Sequence, residues 1–396
     1  MIILQPYENR ILVPVPHLQW REPSLSQPRD ALGNQNQTRF RVRARLHDGH
    51  IAWAGWFDDR DELDAFYWDL AQHIGCGGNA PNLHHFNDVW GDPELLPHLS
   101  FELATQVFYS GNNNYTQVNR PNDWDDTFNT ARAVGPGGGG GIRTVASHSN
   151  VGGGGGGAFA QTANFTFPTR LYVFTESSVV TPTAPSGTNS AIDGETGSAS
   201  ALSTKNTGVV FPTDYIVCAG PGAGGKAEGR ATSAVGGAGG TTAASVGALK
   251  RAGGRGGNGA VADDRRATGG GGAAGPDANG GNGTNQSGTG ASKGGDGNGG
   301  NGGTGSAGGA EADGGDGSEF DPAHGTGGGG GGFQFTDTQS SPAAGNSGGK
   351  YGGGGGGVTR NGSGRATKSG NGGGSLIVLD YRPKTSGGFN MPNMGL

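Results

Sequence analysis

Cysteine, charge and long apolar runs are all scarce in this 396-residue chain, and each scarcity removes a class of explanation. The two cysteines, Cys76 and Cys218, stand far apart, so the chain has neither a disulfide framework nor a zinc-ribbon spacing. Only 15% of residues are charged and the formal net charge is −6. That balance gives no electrostatic case for nucleic acid or an anionic membrane as partner. No apolar stretch approaches the roughly 18 residues of a spanning helix. The opening MIILQPYENRILVPVP also has no basic n-region of a signal peptide. The expected protein is made in a cytoplasm, and a particle must carry it if it acts outside a cell.

Signatures of chemistry are equally thin. Gly220–Lys226, GPGAGGK, satisfies G-x-x-x-x-G-K and follows a strand-like Tyr215–Ala219. A phosphate-binding loop also needs Ser or Thr after the lysine and a helix whose N-terminus faces the phosphate. Here Ala227 follows, and EGRATSAVGGAGG cannot sustain a helix, so the match is a product of glycine abundance. His73, Cys76, His84, His85 and Asp88 cluster loosely, in a spacing that matches no closed zinc site. Asp123, Asp125 and Asp126 are close in sequence, but spacing alone cannot pair an acid with a base. The expectation is a protein without catalysis, metal or cofactor.

Glycine is what the chain has instead: 87 residues, nearly all of them beyond residue 130. From Gly294 to Gly309 the positions 294, 297, 300 and 303 are glycine, as are 299, 302, 305 and 308, while 298, 301, 304 and 307 read Asn, Asn, Thr, Ala. A period of three belongs to polyproline-II-type helices, which have three residues per turn and no internal hydrogen bonds. Buried helices of that kind must bond laterally. Ordering glycine is costly, about 1–2 kcal/mol of backbone entropy per residue with no side chain to bury, so something else must anchor the tracts. Apolar strand-like segments do alternate with them: Ala158–Thr175, Val209–Ala219 and Ser375–Tyr381. A flexible linker has no need of such segments.

Residues 1 to about 115 have an ordinary globular composition. Thr38–Phe57 reads as a β-hairpin about an Asp48-Gly49 turn. That register sets Phe40 opposite Phe57, Val42 opposite Gly55, Ala44 opposite Trp53 and Leu46 opposite Ile51. Arg39, Arg41, Arg43 and Arg45 alternate with the apolar set. They are read either as a solvated face or as a docking strip for an acidic partner in the same assembly. A helix is predicted over Asp59–Ile74, with Asp59 and Glu62 as capping box and Gly75 at the stop. Leu99–Tyr109 reads as a further strand. The fold class expected is therefore a small N-terminal α+β attachment domain (1–115), a glycine-rich polyglycine-II helix bundle with flanking β-strands (116–384) and a short tail (385–396).

The strand entering a glycine run at Thr130–Gly141, the second run leading to an aromatic strand at Gly152–Phe167, and the closing GGGSLIVLDYRP at Gly372–Pro383 resemble the glycine-rich domain of bacteriophage tail-fibre and tail-tip proteins. They are similar also to the polyglycine-II adhesins that cap the long fibres of some T-even-like phages. The resemblance covers roughly residues 124 to 384. It implies a virion protein attached to other tail or fibre proteins, whose loops contact host surface polysaccharide or an outer-membrane protein, and by analogy a homo-oligomer such as a trimer.

Within that frame Phe320, His324, Phe333, Phe335 and Tyr351 are candidate receptor contacts. They follow a stretch from Ile216 to Glu319 with no aromatic residue. The competing reading makes them hydrophobic plugs closing the end of the glycine body. Arg251, Arg255, Arg265 and Arg266 mark a second loop region that could meet anionic polysaccharide. The leading expectation is host-surface binding without turnover. A purely structural head or tail decoration protein is the alternative, and an ice-binding protein or a disordered linker are more distant ones.

Overall fold

The computed structural model describes residues 2–4, 11–13, 37–45, 51–57 and 100–383, the last without 144–149, 181–189, 229–231, 260–266, 286–292, 304–305, 308–312, 322, 335–342 and 360–365. Its largest element is a seven-stranded antiparallel sheet. In spatial order the strands are Leu249–Arg251, Phe159–Ala163, Trp124–Val134, Leu376–Pro383, Ser100–Ser110, Gln37–Arg45 and Ile51–Phe57. Leu376–Pro383 is the central strand. Its near-continuous apolar run, LIVL, fits a strand covered on both faces.

On one face Ile377, Leu379 and Tyr381 join Ala131, Ala133 and Tyr109 in a core completed by a second sheet. That sheet has the antiparallel order Tyr215–Ala219, Ser200–Ser203, Arg170–Phe174, Thr116–Asn119 and contributes Leu171, Val173, Leu202 and Val217. Trp124, fully buried, is boxed in by Phe165, Phe167 and Tyr381 at ring-centroid distances of 5.3, 4.9 and 4.7 Å. The opposite face carries Phe108, Val134, Phe159, Leu376 and Val378. Against it lie Ala273, Ala274, Phe320 and Tyr351 from the glycine-rich body.

In that body the tract 152–158 shows the bonding rule. Gly152, Gly155 and Ala158 donate their amides to Lys226, Ala223 and Gly220; Gly153 and Gly156 to Gly257 and Gly254; Gly154 and Gly157 to Gly355 and Gly352. Its carbonyls turn in the same rotation. Those of 152, 155 and 158 accept from Gly141, Gly138 and Gly135, those of 153 and 156 from Gly237 and Gly240, and those of 154 and 157 from Gly271 and Ala274. One seven-residue tract is thus tied to six neighbours, three through its donors and three through its acceptors. At the glycines of the tract a side chain has no room. A Cβ on Gly156 would lie 2.0 Å from the carbonyl oxygen of Gly272. Every amide buried in the tract has a protein acceptor, the condition under which backbone without side chains tolerates burial.

The expected fold class needs correction. Among the described residues there is no helix, and the architecture is all-β with mostly antiparallel sheets, not an α+β domain followed by a helix bundle. The reason lies in strand partnership. The Gln37–Arg45 and Ile51–Phe57 strands extend, through Ser100–Ser110, the sheet whose centre is Leu376–Pro383, so one sheet runs across residue 115. The helix expected over Asp59–Ile74 lies outside the described residues. Among the described residues no helix is long and apolar enough to cross a membrane.

Candidate functional site

Three of the five aromatic and histidine candidates come together, and they do so in the interior. Phe320 and Tyr351 are each 7% exposed and His324 is fully buried. The His324 ring stacks on Phe108 at 4.0 Å between centroids and lies parallel to Tyr351 at 5.8 Å. Phe320 stacks on Phe159 at 6.4 Å, with the Arg132 guanidinium 6.0 Å from its ring centre. Exposure was the premise for reading these three as receptor contacts, and it does not hold; they plug the junction between glycine body and sheet. Phe333 belongs to the short Phe333–Gln334 strand, which pairs in parallel with Val358–Thr359. Phe335 lies outside the described residues.

The junction is held by a local Asp–His pair. His324 Nδ1 is 2.8 Å from Asp321 Oδ2, and both side chains are fully buried. Asp321 Oδ1 also accepts from the amides of Ala323 and His324 at 2.6 and 2.8 Å. His324 Nε2 has no hydrogen-bond partner among the described residues. The pair closes a tight turn under Phe108, and among the described residues no group of three metal-ligating side chains forms there or elsewhere. The His73, Cys76, His84, His85 and Asp88 cluster lies outside the described residues.

Arg39, Arg41, Arg43 and Arg45 all fall in the Gln37–Arg45 strand, which lies between two others. Arg39 is in register with Gln106, Arg41 with Ala104, Arg43 with Glu102 and Arg45 with Ser100. The Gln106 row continues inward: Gln106 Nε2 donates to Asp380 Oδ2 at 3.2 Å, and Asp380 lies 3.4 Å from Arg132. Of the loop arginines, Arg251 donates to the Pro276 carbonyl at 3.0 Å and Arg255 to Asn258 Oδ1 at 2.6 Å. Arg265 and Arg266 lie outside the described residues.

The phosphate-loop motif has a structural occupation. The amides of Gly222, Ala223, Gly225 and Lys226 donate to the carbonyls of Pro136, Ala238, Gly139 and Val235. They point to different neighbours and converge on no common point where an anion could sit. The chain continues into the Ala227–Glu228 strand rather than a helix, and Lys226 Nζ is paired with Asp193 at 2.6 Å. The three aspartates are equally committed: Asp123 to the Tyr381 hydroxyl, Asp125 to Thr127, and Asp126 to Arg120 at 2.7 Å.

What sequence reading missed is a surface turn within Val209–Ala219. Val210 and Phe211 are 55% and 49% exposed, yet the turn beneath them is densely bonded. Asp214 Oδ2 accepts from the Val210 amide at 2.8 Å, the Asp214 amide returns to the Val210 carbonyl at 3.0 Å, and Lys205 Nζ pairs with Asp214 at 3.0 Å. The signal lies in Phe211-Pro212-Thr213-Asp214, a proline and an aspartate at turn positions, inside a segment whose apolar residues otherwise read as a strand. Comparison with known protein families and with curated proteins gives no match.

Proposed function

We propose that this chain is a virion-associated phage tail or fibre protein that binds the host surface without chemical turnover. In this reading residues 1 to about 115 attach it to other tail proteins, and the glycine-rich body holds its host-facing loops rigid. The observation that carries the reading is the six-neighbour bonding of tract 152–158. A body whose main chain is bonded in every lateral direction is a scaffold that has already lost its conformational entropy, so a binding surface built on it loses little more on contact. Many copies on one particle would add avidity. The link to phage rests on the motifs Thr130–Gly141, Gly152–Phe167 and Gly372–Pro383.

A purely structural decoration role is the second reading, and the burial of Phe320, His324 and Tyr351 favours it at that end of the molecule. Two measurements separate them. Labelled antibody microscopy should find the chain on tail or fibre, and purified full-length chain should adsorb to host cells and compete with particle adsorption. A chain that decorates particles but neither adsorbs nor competes is a structural component only.

A further inference from the structure

The four-stranded sheet turns one face to the core and the other outward, and the outward face is unusually aromatic. In Arg170–Phe174 the inward residues are Leu171 and Val173, both fully buried, so Tyr172 and Phe174 lie on the outer face by alternation. Tyr172 is in register with Ser203, which is in register with Tyr215. Phe174 is in register with Ala201, and its ring lies 5.3 Å from that of Tyr115. At the rim the bonded turn carries Phe211, whose ring is 6.0 Å from Tyr215. Ala201 and Ser203, small and buried, lie between the rings.

Two features separate this face from ordinary surface. First, an apolar side chain in water is normally incidental, whereas here the Val210–Asp214 turn commits a carboxylate, an ammonium group and two backbone amides to holding Val210 and Phe211 outward. Rigid aromatic groups on a preorganised support are what a binding site needs. Secondly, charge lies at the margin of the rings. Lys205 is paired with Asp214, the neighbouring Gln117 and Asn119 are neutral amides bonded to each other at 2.9 Å, and Arg170, exposed on the same face at the start of its strand and in register with Asn119, is a cation at the edge. Size selects the occupant. An aromatic residue offers about 150–250 Å² in full, and most of these rings are more than half buried. The accessible patch is thus on the order of a few hundred Å², well short of the ~800 Å² per partner of a stable protein interface.

We infer that the outer face formed by Tyr115, Tyr172, Phe174, Tyr215 and Phe211 is a stacking platform for a neutral oligosaccharide. Sugar rings present apolar C–H faces to the aromatic rings and hydroxyls to the flanking amides and tyrosine hydroxyls, and no net charge is required on either side. The inference deepens the host-surface reading and rests on it for the origin of the glycan.

The test uses full-length chain in native affinity electrophoresis through gels holding neutral polysaccharides (a glucan, a mannan, a galactan) or anionic alginate. At least one neutral polymer should retard the native chain, and Phe211→Ala and Tyr172→Ser should each weaken retardation at least tenfold while keeping the native far-ultraviolet spectrum. Absence of retardation by every neutral polymer, retardation by alginate alone, or unchanged retardation of both variants would overturn the platform. Host-cell adsorption run in parallel distinguishes the two proposals. Equal adsorption of native chain and Phe211→Ala, together with equal retardation of the two, overturns the platform and leaves host binding intact. Retardation by a neutral polymer without adsorption to cells supports the platform and removes the host reading.

Discussion

Glycine is required at different positions of this chain for two unrelated reasons. At Gly156 the backbone could accept a side chain but space cannot: the nearest atoms to an added Cβ are the carbonyl oxygen and carbon of Gly272, at 2.0 and 2.4 Å, and both are main chain held by further hydrogen bonds. At Gly208 nothing lies within 4 Å, but φ is +60°, where an L side chain is strained. Gly208→Ala should therefore cost about 1–2 kcal/mol, the usual penalty of that conformation, and leave every contact in place. Gly156→Ala should cost more than the roughly 1–3 kcal/mol of ordinary overpacking, since the atoms it displaces are backbone and cannot change rotamer. Chemical denaturation of the two variants measures the difference; equal losses would mean the tract yields where its bonding says it cannot.

A second residue-scale expectation concerns Asp214. The Val210 amide first, and Lys205 after it, hold its carboxyl below the usual carboxylate range. A group lowered on folding stabilises the fold above its unfolded value and loses that contribution as pH falls through its folded value. Acidification through and below the ordinary carboxylate range should therefore loosen the Phe211 turn before the sandwich core. A pH series of the Val210 and Phe211 amide resonances would show it. If those signals stay fixed until global unfolding, the carboxylate is not what holds the turn.

Among the elements, the side chains that edge the glycine tracts do a backbone's work. Asn279, Asn282 and Asn285 recur every three residues, and their Oδ1 atoms accept from the amides of Ala252, Arg255 and Asn258 at 3.0, 2.8 and 2.7 Å. Asp313 and Asp316 do the same for Ser347 and Lys350 at 2.6 and 2.7 Å. A tract at the boundary lacks a neighbour on one side, and bare edge amides invite pairing with another chain; the carboxamide and carboxylate oxygens stand in for that neighbour. Replacing Asn279, Asn282 and Asn285 by alanine should speed hydrogen exchange at Ala252, Arg255 and Asn258 at least tenfold. The melting temperature should hardly move, because water replaces an exposed acceptor at a net cost of about 1 kcal/mol or less per bond. The triple Asn→Asp variant keeps the acceptors and should exchange as the native chain does.

How much of this was legible follows from how local each signal is. Three expected hairpin pairs, Phe40 with Phe57, Val42 with Gly55 and Ala44 with Trp53, occur as the alternation dictates. The fourth fails because an irregularity after Ala44 sets Arg45, not Leu46, against Ile51. The strand expected at Ser375–Tyr381 lies within one residue of Leu376 at its start, yet nothing local tells that it sits centrally between residues 124–134 and 100–110. That partnership spans more than 240 residues of chain and is decided by which faces remain to be covered. It is also why an N-terminal α+β unit was the wrong expectation. The period of three was read over Gly294–Gly309 and not at Asn279, Asn282 and Asn285, whose acceptor role depends on which tract lies alongside. The aromatic face was illegible for a similar reason: Tyr172 and Tyr215 come from separate strands brought together by register through Ser203, and Tyr115, just before the Thr116–Asn119 strand, meets Phe174 only because that strand pairs with Arg170–Phe174.

For the whole molecule, the division between a conventional sandwich and a body of bonded backbone should be visible in the heat capacity of unfolding. Exposing apolar surface raises that quantity by about 0.45 cal/K/mol/Å² and exposing polar surface lowers it by about 0.26, for a net of roughly 12–15 cal/mol/K per residue in ordinary globular proteins. Here the core residues Ile377, Leu379, Val173 and Trp124 unfold in the ordinary way. The tracts release amides and carbonyls with almost no apolar side chain, so their contribution is small or negative. Calorimetry of the full chain should therefore give a value per residue clearly below the ordinary range. The stability curve should be correspondingly flat in temperature and retain folded protein in the cold, where weakening hydrophobic burial undermines most domains. A heat capacity at or above the ordinary range would mean that buried apolar surface, and not the lateral bonding of the glycine tracts, dominates the fold.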